Sequence, residues 1–109
     1  MDIQAEIQAG VCGFRTVVYA DSADGMTVQL RIESDCPKVM AMASKLTEMN
    51  AIDEVLTRPL VETTPVLLAA QHRLHTSCPV SIGILKAVES AAGLALPAMC
   101  TVALTRMDE

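Results

Sequence analysis

Residues 2–9 alternate polar and apolar side chains, with Asp2, Gln4, Glu6 and Gln8 set against Ile3, Ala5, Ile7 and Ala9. A period of two places each set on one side of an extended chain, so this segment predicts a half-buried strand. Residues 14–20, with Thr16, Val17, Val18 and Tyr19, predict a second strand. Residues 26–33 predict a third, its Met26, Val28, Leu30 and Ile32 opposed to Thr27, Gln29, Arg31 and Glu33. The loop Asp21-Ser22-Ala23-Asp24-Gly25 ends in an Asp-Gly pair, a hairpin signal that joins the last two strands antiparallel. After Cys36 the period lengthens. Val39, Met42, Ala43, Leu46 and Met49 fall at helical spacing and predict a helix to about Asn50, with a short turn over residues 52–56 before Pro59. Thr64-Pro65 opens a second helix toward His72 or His75. Cys78-Pro79 opens a third, with Val80, Ile84, Ala87, Val88 and Ala91 on one face and Gly93 as its C-terminal stop. Residues 98–106 alternate again and predict a last strand. The expected fold is a single α+β domain over residues 1–109, an antiparallel sheet of three to five strands with helices packed on one face.

Composition sharpens this picture. The chain has 109 residues, 51% of them hydrophobic, yet one Phe, one Tyr and no Trp, so the core is built from Val, Ile, Leu, Ala and some of the seven Met. That length suffices for one core without disulfide or metal staples. The formal charge of −5, with no run of Lys or Arg, argues against nucleic acid or an anionic membrane as partner. The opening Met1-Asp2-Ile3-Gln4 lacks the basic and apolar regions of a signal peptide, and the uncharged tract Ala91–Thr105 is broken by Gly93 and Pro97. A cytoplasmic location is expected, where thiols stay reduced. The small aliphatic sheet, with Ala5 and Ile7 on an apolar side and a C-terminal strand at an edge, predicts a homodimer whose functional site lies near one end of the sheet.

The chemistry lies in the cysteines. Two of the four directly precede proline, in Asp35-Cys36-Pro37 and Ser77-Cys78-Pro79, each at the opening of a helical pattern. Proline favours the first helical position, so both sulfurs fall at or beside an N-cap, where unpaired N–H groups and the positive end of the helix favour a thiolate. Cys12 sits in Gly10-Val11-Cys12-Gly13, where glycines permit a tight turn. His72 and His75 are three apart, placing them on one helix face, with Cys78 three residues on. One imidazole and three thiolates would make a tetrahedral set for zinc or an iron–sulfur cluster, with Cys12, Cys36, Cys78 and one of His75 and His72 as ligands.

The order of these residues resembles the iron–sulfur scaffold family of IscU and the NifU N-terminal domain. The shared features are a Cys-Gly at the end of the first strand region, a second Cys opening a helix, and a third Cys opening a last helix after a His-bearing segment. The separations of Cys12, Cys36 and Cys78, 24 and 42 residues, are close to that family's. Two positions differ from its pattern: Phe14 stands where the family has an acidic ligand, and Ser77 where it has His. Thr76-Ser77-Cys78-Pro79, followed by Ile82, Leu85 and Ala87, also resembles the cysteine-bearing TSCPD domain. Both resemblances imply metal binding through these cysteines.

Other residues have plainer readings. Cys100, alternating with Val102 and Leu104, is expected to pack. Met40, Met42 and Met49 are expected in the core, and Asp53, Glu54 and Glu62 are read as solvated charge. The leading expectation is a small metal-binding protein, with a possible partner protein. Its rivals are a thiol- or persulfide-based sulfur carrier or redox protein using Cys36 or Cys78, and a structural domain whose cysteines only pack.

Overall fold

The computed structural model describes residues 1–108. Strands β1 (Asp2–Gln8), β2 (Arg15–Asp21) and β3 (Thr27–Ser34) form an antiparallel meander, and a short β4 (Glu48–Asn50) adds to the far side of β3, giving the order β1-β2-β3-β4. Helices α1 (Pro37–Ala43), α2 (Thr64–Gln71) and α3 (Val80–Ala91) complete the α+β domain, together with a π-helical turn at Ile52–Thr57 and a 3-10 turn at Leu60–Glu62.

The period-two pattern sets the register. Val18 lies between Ala5 and Ile32, and Ala20 between Ile3 and Leu30, so one face of the sheet is an aliphatic row. α3 covers β1 and β2, α1 covers β3, and α2 packs on both helices. Between the layers lie Val18, Val28, Val39, Met42, Leu46, Ile84 and Val88, each almost fully buried. The core holds no aromatic ring, in agreement with the composition.

The opposite face of the sheet carries no helix. It presents Glu6, Arg15, Tyr19, Arg31 and Glu33, with Arg15 Nε donating to Glu6 at 3.1 Å and the Arg31 guanidinium 4.0 Å above the Tyr19 ring. The Arg15 guanidinium holds the Glu6 carboxyl below its ordinary range, through a hydrogen bond and its charge. Val17 is only 4% exposed on this face, flanked in register by Glu6 and Glu33.

The β2–β3 turn shows why Asp-Gly works here. Gly25 adopts φ +77°, open to glycine at no steric cost. The Asp24 carboxylate accepts from the backbone N–H groups of Met26 and Thr27 at 2.9 and 2.8 Å, and these bonds hold its pKa below the usual carboxylate value.

Several expectations need correction. The helix after Cys36 does not run to Asn50: it stops at Ala43, and residues 48–50 form a strand. Val39, Met42, Leu46 and Met49 are all buried, so the apolar spacing is real, but a turn followed by a strand buries the same set. Lys45 N–H and Leu46 N–H bond back three residues, to Met42 O and Ala43 O. The free edge of β3 then captures the chain, with Leu30 N–H on Thr47 O and Val28 opposite Met49. An available ladder outweighs a helical preference worth only tenths of a kcal/mol per residue. Residues 98–106 form no strand; the segment is exposed because it pairs with no other part of the chain. Met26, at the turn before β3, is 49% exposed rather than facing in with Val28, and Met40 is also exposed.

Glu54 is not solvated: it is 5% exposed. Its carboxylate accepts from Arg58 Nη1 at 2.8 Å, from the Thr64 hydroxyl, and from Thr64 N–H at 2.8 Å, and so satisfies a free donor at the start of α2.

Candidate functional site

The topology brings three cysteine-bearing segments to one end of the sheet. Cys12 lies in the turn between β1 and β2, closed by Gly13 N–H on Gly10 O at 2.9 Å and Ala9 N–H on Phe14 O at 3.2 Å. Gly10 and Gly13 adopt φ +96° and +73°, which explains why glycine flanks this cysteine. β3 ends beside the start of β2. Thr16 and Ser34 share a 2.7 Å hydroxyl hydrogen bond, and Asp35 N–H donates to Arg15 O at 3.1 Å. Cys36 follows as the N-cap of α1, with φ −84° and ψ 118°, its N–H donating to Ser34 Oγ at 3.1 Å.

The third segment arrives from the other layer. α3 runs antiparallel to β1: Gly83, in its first turn, lies against Ile7 near the end of β1, while Ala91 O lies 3.5 Å from the Met1 ammonium nitrogen at the strand's start. Cys78, one residue before the Pro79 N-cap, is thereby carried to the end that holds Cys12 and Cys36. Cys36 and Cys78 are half-buried against the core, whereas Cys12 is exposed at the turn tip. Cys100 lies in the exposed C-terminal segment, and all four cysteines are free.

The two histidines part company. α2 ends at Gln71, and His72 is its C-terminal cap, so the pair does not share a helix face as the spacing predicted. Arg73 takes φ +55°, reversing the chain after the helix. His72 Nε2 lies 3.4 Å from Lys45 Nζ, beyond the C-terminus of α1. His75 belongs to the turn that leads into Cys78, with Cys78 N–H donating to His75 O at 2.9 Å and the Ser77 hydroxyl 3.3 Å from His75 Nδ1. Of the two histidines, His75 is the one whose backbone shares a turn with a cysteine; its exposed imidazole lies beside Ser77.

Among the described residues, no three Cys, His, Asp or Glu side chains stand close enough to hold a metal ion in this arrangement. The end of the sheet therefore offers two half-buried thiols and an exposed third on a glycine-flanked turn. No helix is long and apolar enough to cross a membrane. A shallow groove between the π-helical turn and α3, floored by Val55 and Leu85 and rimmed by Arg58, Lys86 and Glu89, shares no residue with the cysteine end. Sequence reasoning missed the Glu54–Arg58–Thr64 cluster beside this groove; the i,i+4 spacing of Glu54 and Arg58 was its one visible sign. Every buried side-chain nitrogen or oxygen among the described residues has a hydrogen-bond partner, so the cluster reads as support for α2 rather than as chemistry.

No curated protein and no solved structure matches the chain. A family model matches residues 3–104, nearly its whole length, and the chain belongs to that family, the family of unknown function DUF6951.

Proposed function

We propose that the protein binds one zinc ion or iron–sulfur cluster through Cys12, Cys36 and Cys78, with His75 as the fourth ligand, in the reducing cytoplasm. The observation that carries this reading is that a strand turn, the start of α1 and the approach to α3 bring their cysteines to one end of the sheet although 66 residues of sequence separate the first from the last. Thiolates and imidazole are the donors that zinc and iron–sulfur clusters take. Loading requires the three segments to draw closer than they stand, and Gly10 and Gly13, both at positive φ, give the Cys12 turn backbone freedom for its share of that movement. His72, turned to Lys45, is left out of the set. The likeness to the IscU and NifU scaffold family and to the TSCPD domain points the same way.

Metal analysis and an absorption spectrum of anaerobically purified protein test the reading. Stoichiometric colourless zinc, or iron with sulfide and visible absorption, supports it. Protein that contains neither, and takes up neither on reconstitution, overturns it.

A second reading keeps one thiol as the working group. It is favoured by the partial exposure of Cys36 and Cys78 at the approaches to α1 and α3, the setting in which thiols react, which suits a carrier of sulfane sulfur. Peptide mapping after iodoacetamide treatment separates the two. One dominant labelled cysteine in metal-free folded protein favours the carrier, and equal slow labelling of all four removes it.

A further inference from the structure

We propose that residues 98–105 add as a strand to the open edge of β1 in a second copy of the chain, the two copies exchanging C-terminal arms. Past Gly93 the chain leaves α3 without further secondary structure, and Leu96, Met99, Val102, Leu104 and Met107 are 85–92% exposed. The molecule measures 52 Å along one axis against 28 and 25 Å along the others. Five large apolar side chains in one exposed segment are a surface awaiting cover.

The pattern of the arm says what kind of cover. Ala98, Cys100, Val102 and Leu104 alternate with Met99, Thr101, Ala103 and Thr105, a period of two that suits a sheet and not a helix groove. Pro97 stands directly before it, at a position where a strand tolerates the missing N–H. Eight extended residues span roughly 27 Å, about the length of seven-residue β1.

The receiving surface is equally defined. β1 is terminal in the sheet, so one full side of its backbone is unpaired, whereas the other edge strand, β4, has three residues. On the helix-facing side of β1, Ile3 and Ala5 remain half-exposed beside buried Ile7. Added there, the row Ala98, Cys100, Val102 and Leu104 extends that apolar face and covers Val102 and Leu104, while Met99, Thr101, Ala103 and Thr105 fall on the side of Gln4 and Glu6. An open edge of this length recruits another strand unless covered. Charge favours the same contact. The body of an acidic chain repels its copy, but residues 94–105 carry no ionisable acid or base except the Cys100 thiol.

Light scattering on the full-length chain, from low to high micromolar concentration with a chelator present, tests the proposal independently of any metal. A mass about twice 11.6 kDa is expected for the wild type. The double substitution Val102→Lys and Leu104→Lys, at positions that touch no core residue, should halve that mass while leaving the far-ultraviolet circular dichroism unchanged. Amide exchange across residues 98–105 should slow in the dimer and quicken on dilution. A monomeric wild type at high micromolar concentration overturns the proposal, as does a dimer that survives the double substitution. Slow exchange in residues 98–105 of a monomer overturns it too, since the arm would then lie on its own chain.

Discussion

Gly83 is where α3 crosses β1, and replacing it with alanine probes the contact that carries Cys78 to the end of the sheet. A Cβ at this position would lie 2.3 Å from Ile7 Cδ1 and 2.7 Å from Ile7 Cγ1, well inside contact distance. Two effects oppose each other. Alanine in a helix interior is favoured over glycine by about 1 kcal/mol, whereas an extra carbon forced into a packed core costs about 1–3 kcal/mol. Ile7 is 8% exposed and Ile84, Ala87 and Val88 are packed nearby, so its side chain has little room to turn away. The clash should win, leaving Gly83→Ala destabilised by roughly 1 kcal/mol. Ile7→Ala alone should cost about 2–4 kcal/mol as a cavity mutation. In that background Gly83→Ala meets no obstacle, and its sign should reverse to about 1 kcal/mol of stabilisation. Urea unfolding of the four proteins of this cycle, followed by far-ultraviolet circular dichroism, gives the coupling directly. Wild-type protein made more stable by Gly83→Ala would refute the helix–strand contact, as would equal effects in the two backgrounds.

Three further outcomes are expected. Under the metal reading, Cys→Ser at position 12, 36 or 78 and His75→Ala should each lower bound metal, while Cys100→Ser and His72→Ala leave it unchanged; elemental analysis of each variant checks the set. Glu54→Ala removes the acceptor at the start of α2 and a partner of Arg58, and should lower unfolding stability by about 1–3 kcal/mol; a loss under about 0.5 kcal/mol in urea titration would contradict its supporting role. Asp24→Ala should lower the thermal midpoint at neutral pH. Because its folded-state pKa is depressed, the Asp24 contribution is complete above the unfolded value of about 3.9 and fades as pH falls through the folded value, so the difference between wild type and variant should shrink there; a constant difference down to pH 2 would contradict it.

Where local pattern and tertiary packing agree, the fold was readable. Ile3, Ala5 and Ile7 in β1, Val28, Leu30 and Ile32 in β3, and Ile84, Ala87, Val88 and Ala91 in α3 lie on the faces their spacing implies. The Pro37 and Pro79 helix starts and the Gly93 stop were equally local signals. Residues 46–50 misled because Leu46 and Met49 satisfy helix and strand burial alike, and the deciding factor, the unpaired edge of β3, lies far away in sequence. Glu54 misled because its partner Thr64 comes after an irregular stretch that no periodicity describes. Of the candidate site, the helix-start positions of Cys36 and Cys78 were visible in Cys-Pro. Cys36 follows Cys12 to one end of the sheet from the meander alone, but that Cys78 lies there too required knowing that α3 runs antiparallel to β1, a long-range packing choice.

That same packing orders events during synthesis. The meander β1–β3 is made of neighbours in sequence and can pair as soon as Ser34 is available, so the segments bearing Cys12 and Cys36 meet early. The inner faces of β1 and β2, by contrast, are covered by α3, the last element of the chain. Until residues 80–91 leave the ribosome, Ile7, Val18 and Ala20 face water, and Cys78 is absent from the end of the sheet. Covering the first strand with α3 joins segments about 70 residues apart, a long loop closure of the kind that slows folding. A nascent chain therefore holds the Cys12 and Cys36 segments near one another before Cys78 joins them, and the three reach one end of the sheet only as α3 covers the core.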